Sequence, residues 1–286
     1  NGWESNLTAY LDDIPFDFIG KGEQNSVKLK LSLESTSEEA QVILIEEPEN
    51  HLSYSNMYKL INQISEKCEG KQLIITTHST YVLNKLGLDK VVLMNNGHHM
   101  TLRDLKEETY NYFKKLPGYD TLRLLLADKA ILVEGPSDEL IVQKAYIQKY
   151  NKLPIEDGVD VITVRGLSFK RFLEIADLLK KEVSVVTDND GDVNKNIIDK
   201  YGDYYLNHPT INICYSEDTK YPTLEPQLVS VNELSVLNQI FEKDFKTKEE
   251  MIKYMTSSGN KTECAMRIFD SNQEIVIPEY INEAIK

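Results

Sequence analysis

Glu134 and Asp138 stand one helical turn apart behind the apolar run Ala130-Ile131-Leu132-Val133. Asp188, Asp190 and Asp192 close a second run, Val183-Ser184-Val185-Val186. Four carboxylates brought together as Glu134, Asp138, Asp188 and Asp190 cannot all stay ionised without a cation. An all-oxygen donor set open to water suits a hard divalent ion, Mg²⁺ or Mn²⁺. The spacing from Asp188 to Asp192 also invites a calcium-loop reading. That reading fails, because an EF-hand needs glycine sixth and glutamate twelfth, and here Gly191 is fourth and Asp199 twelfth.

The elements that must position these acids follow from the runs before them. Apolar, mostly β-branched stretches ending abruptly in acids read as buried parallel strands that deliver carboxylates to the sheet's C-terminal edge, where open α/β sheets keep their chemistry. After Glu134 the chain turns at Gly135 into a helix over 137–150, with Pro136 at the start where it wastes no backbone donor. Its apolar positions Leu140, Ile141, Ala145 and Ile147 form a broad face for packing on a sheet. Val159 to Val164 reads as a strand, and Ser168 as the N-cap of the next helix. Ile211 to Tyr215 is a further strand, so β and α alternate as in a parallel sheet. Asp188 and Asp190 share one side if the chain stays extended. Residues 216–226 read as a loop carrying Glu225. Helices follow over 235–242, 248–255 and 261–269, the last opened by Lys261, a poor residue for a helix N-terminus and so a candidate for a role elsewhere. Arg165, Lys170, Arg171, Lys180 and Lys181 form the densest basic cluster, either a phosphate-contacting patch or a solvated helix face.

A different set of residues occupies the first 128 positions. Gln41-Val42-Ile43-Leu44-Ile45-Glu46-Glu47 is an apolar strand ending in acids that resembles a Walker B segment, and the resemblance implies that one carboxylate orients Mg²⁺ and the next polarises an attacking water. Gln72 to Thr77 is another buried strand, ending at His78. A helix over 54–68 with Gly70 behind it lies between them. Upstream, Gly20-Lys21-Gly22-Glu23 precedes an alternating segment, Val27 to Leu33, whose pattern fits helix and strand alike. His98 and His99 flank a hairpin-like turn at Asn95-Asn96-Gly97 and read as surface residues. No Gly-x-x-x-x-Gly-Lys-Ser/Thr occurs, so the phosphate-cradling P-loop is missing. With Asn1-Gly2-Trp3 as its start, the chain reads as a fragment whose P-loop lies upstream.

The segment 132–138 together with Asp188-Asn189-Asp190 resembles a Toprim domain, the metal-binding module of topoisomerases, primases and a class of nucleases. Nearly the whole chain is similar to the OLD (overcoming lysogenization defect) family, and within it to the Gabija anti-phage type. The resemblance implies an α/β fold: the C-terminal part of an ABC-type ATPase head over residues 1–128, then a Toprim domain, a parallel sheet flanked by helices, with a helical C-terminal extension over 129–286. It implies a metal-dependent DNA endonuclease with nucleotide regulation at the head, acting in anti-phage defence in the bacterial cytoplasm. Two Mg²⁺ or Mn²⁺ ions would be held by Glu134, Asp138, Asp188, Asp190 and Glu225, with Glu134, Asp188 and Lys261 catalytic. Gly20, Gly22 and Glu23 (signature-like), Glu46 and Glu47 (Walker B-like) and His78 would face ATP. Glu46 stands where ABC proteins usually carry aspartate. Double-stranded DNA, a homo-oligomer (dimer or tetramer) and a helicase-like partner are further implications.

Composition narrows the alternatives. A net charge of −14 excludes coating of nucleic acid by bulk electrostatics. Cys68, Cys214 and Cys264 have no zinc-like spacing, which suits a reducing compartment. No apolar run approaches a membrane span. The competing readings are an ATP-gated DNA clamp or sensor with an inert metal site, and a topoisomerase- or primase-like Toprim enzyme. Neither a nucleophilic-tyrosine strand-passage domain nor a template-binding domain is visible to support the latter.

Overall fold

The computed structural model describes residues 9–36, 40–95, 98–116, 120–164 and 168–286. The chain forms two compact units, one of Asn1–Val91 with Tyr110–Leu122 and one of Val92–Thr109 with Arg123–Lys286.

In the first unit, a short antiparallel pair, β1 (Tyr10–Leu11) and β2 (Ile14–Pro15), leads into helix α1 (Lys21–Thr36). The alternation of Val27, Leu29, Leu31 and Leu33 thus resolves as helix. Strand β3 (Val42–Glu46), helix α2 (Tyr54–Lys67) and strand β4 (Gln72–Thr76) form a βαβ unit whose strands pair in parallel, Glu46 opposite Thr76. Helix α2 starts where the Ser53 hydroxyl accepts the Asn56 amide (3.4 Å). Its Leu60, Ile61 and Ile64 are buried with Leu33 of α1 and Ile45 of β3. Each such side chain contributes about 1.5–3 kcal/mol. Helix α3 (Thr80–Leu86) closes this part. The strands are less buried than their apolar runs predict: Leu44 is 73 % exposed, and Val42 and Ile74 about half. Period-2 alternation turns Ile43 and Ile45 toward α2, while no described element covers the opposite face.

The second unit begins with the hairpin β5 (Val92–Asn95) and β6 (His98–Thr101), which matches the turn read from the sequence, although Asn96 and Gly97 lie outside the described residues. His99 is exposed. Helices α4 (Glu107–Lys115) and α5 (Thr121–Leu126) follow in the chain, their residues within Tyr110–Leu122 counting with the first unit. Then come β7 (Lys129–Val133), α6 (Pro136–Tyr150), β8 (Val159–Thr163), α7 (Phe169–Leu178), β9 (Glu182–Val186), α8 (Asp199–Leu206) and β10 (Ile211–Cys214). All four strands are parallel, in the order β10-β9-β7-β8. From β7 the chain crosses to β8 on one side, and from β9 to β10 on the other. The C-terminal ends of β7 and β9 therefore flank a topological switch point, where α/β sheets open a crevice.

Five helices complete the unit: α9 (Leu224–Val231), α10 (Leu234–Phe241), α11 (Lys248–Thr256), α12 (Asn260–Asp270) and α13 (Glu279–Ala284). Two were not expected. Pro226 reads as a helix breaker, yet it lies in the first turn of α9, where it has no intrahelical donor to lose. Helix α13 is only one and a half turns long. Helix α6 is buried on more than one face, Ile141, Val142, Ala145 and Tyr146 alike, because α12 packs along it as well. These residues share one core with Ile131, Val133 and the helices from α9 to α13. Ser168 precedes α7 but makes no capping bond to it.

Candidate functional site

The parallel register decides where the acids meet. Val133 of β7 lies opposite Val186 of β9, so Glu134 emerges beside Thr187 and Asp188. The Thr187 hydroxyl donates to Glu134 Oε1 (2.5 Å), and the Asp188 amide approaches the same oxygen (3.3 Å). Asp138, in the first turn of α6, accepts the Gly135 amide (3.1 Å), tying the acid to the turn that follows β7. Glu225 comes from the first turn of α9 and is buried, 4 % exposed. Lys261, in the first turn of α12, places its Nζ 3.4 Å from Glu225 Oε2 while half its side chain faces solvent.

The electrostatics record the crowding. Burial, then the charges of Asp138, Glu134, Glu225 and Asp190, push Asp188 up to about 9. Burial, Glu134 and Glu225 push Asp138 up to about 7, against the lowering effect of its backbone hydrogen bonds. Acids so placed exchange protons for a cation readily. The donor chemistry, carboxylate oxygens only, fits a hard divalent ion. Among the described residues no three acidic, histidine or cysteine side chains already form a coordination shell. One oxygen each of Glu134 and Asp138 is engaged by local hydrogen bonds, and Mg²⁺ characteristically binds through one or two carboxylates while keeping several waters.

The loop after β9 departs from the extended form on which a shared side for Asp188 and Asp190 depended. Asp190 has φ +48° and is exposed, Asp188 is half-buried, and the two remain electrostatic neighbours. Asn189 between them is the peg. It is fully buried, donates to the carbonyls of Ser216 (2.7 Å) and Asp218 (3.1 Å), and accepts the Gly191 amide (2.8 Å). Nothing in the pattern Asp-Asn-Asp marks the middle residue as the buried one.

Two tyrosines escaped the sequence reading. Tyr201 of α8 is 3 % exposed, its hydroxyl beside Thr187 without closing a well-formed hydrogen bond. Tyr280 of α13 is 4 % exposed, and Asp188, Asp138, Glu134 and Glu225 all hold its phenol further toward the protonated form after burial has done so. The basic cluster disperses. Arg165 lies outside the described residues and Lys170 is exposed. Arg171 bonds Thr109 (3.0 Å), Lys180 pairs with Asp177 (3.1 Å), and Lys181 donates to the Ala127 carbonyl. A surface depression lined by Lys129, His208, Glu283 and Lys286 opens at the opposite, N-terminal edge of the sheet, away from these acids.

In the first unit the structure joins the ends of β3 and β4. His78 Nε2 is 3.5 Å from Glu47 Oε1. Burial and the neighbouring Glu49 raise the Glu47 carboxyl above its usual range, with His78 pulling the other way. Glu49, not singled out in the sequence, ties the strand ends by accepting the Thr77 hydroxyl (2.5 Å) and the His78 amide (2.9 Å). Glu46, Gly20 and Glu23 are exposed. Gly22 is buried against the loop after β3, where a Cβ would meet the His51 carbonyl oxygen at 2.0 Å, so only glycine fits. The signature-like turn and the Walker B-like loop are thus packed together. No helix among the described residues is long and apolar enough to cross a membrane.

Comparison with known proteins places these two regions separately. Residues 125–190 match the family described as "Overcoming lysogenization defect protein-like, TOPRIM domain", and residues 11–84 match an AAA domain family, AAA_21. "Endonuclease GajA" of Bacillus cereus (strain HuB5-5) is 26 % identical over 273 residues, covering 82 % of this chain and 38 % of that protein. The protein of the same name from strain VD045 is 25 % identical over 152 residues, 52 % of this chain and 26 % of its own length. The chain therefore spans well under half the length of these relatives. The solved C-terminal region of the Xanthomonas campestris pv. campestris OLD protein is 19 % identical, covering 57 % of this chain and 92 % of that one at a TM-score of 0.42. For the Burkholderia pseudomallei OLD protein the corresponding values are 18 %, 56 %, 95 % and 0.42.

Proposed function

We propose, for a chain whose residues 125–190 match the OLD-like Toprim family behind a segment, 11–84, that matches an AAA domain family, that the acid cluster is the centre of a metal-dependent DNA endonuclease acting in anti-phage defence. The observation that carries this reading is the Glu134–Asp188 junction. Two acids from adjacent parallel strands meet at the switch point, with Asp138 and buried Glu225 beside them.

Glu134, Asp138, Asp188, Asp190 and Glu225 would hold two divalent ions, Mg²⁺ or Mn²⁺. When bound, such ions activate a water and stabilise the leaving oxygen of a phosphodiester. The chain's own residues do the rest. Thr187 fixes the Glu134 rotamer, Asn189 fixes the loop that bears Asp188 and Asp190, and Glu225 holds Lys261 near the site with half its side chain in solvent. From there Lys261 can neutralise charge that grows on a phosphate. Restrained side chains lose less entropy on reaching the productive geometry.

In this reading residues 1–128 are part of an ATPase head and 129–286 the nuclease with its helical extension. Glu46, Glu47 and His78, with Gly20, Gly22 and Glu23, serve the nucleotide that regulates cleavage. Double-stranded DNA is the substrate, in a homo-oligomer, dimer or tetramer, with a helicase-like protein as partner. The test is plasmid cleavage by the full-length protein with Mg²⁺ or Mn²⁺, wild type against Glu134→Ala. Cation-dependent nicking or cutting that Glu134→Ala loses supports the reading. DNA binding without cleavage in the wild type would replace it with an ATP-gated clamp or sensor.

A further inference from the structure

Helix α13 packs against β9, β10 and α6, and two of these carry the acids, since Asp188 follows β9 and Asp138 lies on α6. Its Tyr280 is 4 % exposed, and its hydroxyl has no hydrogen-bond partner among the described residues. The apolar neighbours on the same segment, Ile277, Ile281, Ala284 and Ile285, are all buried in the common core. Packing alone would be served by phenylalanine, because a buried hydroxyl left without a partner is desolvated for no return.

Other buried tyrosines sharpen the point. Tyr146 satisfies its hydroxyl on Asp157 at 2.7 Å. Tyr81 in the first unit also lacks a hydrogen-bond partner, but the groups that bear on it are Tyr58 and Tyr54. Around Tyr280 they are four carboxylates, Asp188, Asp138, Glu134 and Glu225. A phenol is a donor and the cluster is acceptor-only when ionised, so the two are complementary.

We propose that Tyr280 is a positioning residue of the cation site, its hydroxyl donating a hydrogen bond to an oxygen of the cation's shell, carboxylate or water. This rests on the reading of the acid cluster as a divalent-cation site. It makes the C-terminal helix part of that site, although it lies far along the chain from every acid.

Tyr280→Phe tests it without opening a cavity. Mn²⁺ affinity, followed through the free-ion EPR signal, is expected to fall about 10-fold, the lower end of what lost outer-shell partners cost metal sites. The metal-free variant should unfold at or above the wild-type temperature, because an unpaired buried group has been removed. Tyr81→Phe should leave Mn²⁺ affinity unchanged. Equal Mn²⁺ affinity in Tyr280→Phe and wild type overturns the proposal, as does a loss of affinity accompanied by a lower metal-free melting temperature, which marks a structural role. If the wild type binds no Mn²⁺, the metal-centre reading falls too. If it binds and Glu134→Ala loses what Tyr280→Phe keeps, that reading stands and this inference alone falls.

Discussion

The two units contain the same local device, an apolar parallel strand that ends in acids, and they finish it to different degrees. In β7 and β9 four of five residues are buried, and their acids meet at a switch point beside the core that α6 shares with the helices from α9 to α13. In β3 and β4 one face packs on α2 while Leu44, Val42 and Ile74 remain exposed. Parallel strands are stable when both faces are covered. One unit therefore gathers its acids at the end of a sheet covered on both faces and the other at the end of a half-covered one, from sequence runs that look alike.

The comparison breaks most sharply at the acids. Glu134→Ala or Asp188→Asn should lower cation-dependent DNA cleavage by at least ~100-fold, since disturbing even the outer partners of metal ligands costs 10–100-fold. Under the proposed function, Glu47→Gln in the full-length protein should instead abolish nucleotide hydrolysis and leave cation binding at the acid cluster intact. Cleavage that survives both acid substitutions, measured on supercoiled plasmid, would remove the distinction.

Burial offers the next test. Amide hydrogen exchange should be slower in β7 and β9 than in β3 and β4 by about 100-fold, because exposed Leu44 and half-exposed Val42 and Ile74 together forgo roughly 3 kcal/mol of burial. Equal protection in the two sheets would mean that the exposed face of β3 and β4 is covered in solution.

What could be read from the sequence follows the same division. Strands β7 and β9 were legible because burial on both faces leaves mostly apolar runs, β10 by its place in the β-α alternation, and Pro136 marked the helix start. The degree of exposure of β3 and β4 was not legible, since an apolar run does not say whether its cover is present. The α1 segment fits period 2 as well as 3.6, and only packing of Leu33 against α2 decides between them. Asn189 and Tyr280 were missed for a common reason. Each acts through contacts with residues remote in sequence, which no local pattern encodes.

Within the second unit, Lys144 should show how the site is braced. This buried lysine of α6 donates to the carbonyls of Ser271 (2.5 Å) and Phe269 (3.3 Å), at the end of the helix that carries Lys261 in its first turn. Hydrogen bonds from a charged donor contribute about 1.5–3 kcal/mol. Lys144→Met, which keeps the aliphatic stem, should lower the melting temperature by about 4–8 °C and weaken cleavage through the displaced Lys261 helix. An unchanged melting temperature would show that α6 and α12 are held by apolar packing alone.

The smallest effect is expected from pH, and its sign separates protons from cations as the charges that balance the cluster. Asp188 is pushed from 3.8 to about 9 in the fold, so between those values the native state holds a proton that the unfolded chain has released. Stability from this group is full below about pH 4 and is lost as pH rises through about 9. In metal-free protein, Asp188→Asn should match the wild type near pH 4 and melt a few degrees higher by pH 9, the effect being limited because the site is partly open to solvent. Saturating Mn²⁺ should reverse the order, since the cation replaces the proton in the wild type and finds a weaker site in the variant. Parallel melting curves across this range, with and without Mn²⁺, would mean that the acids do not share one charge-balanced site, and the contrast between the two units would lose its chemical half.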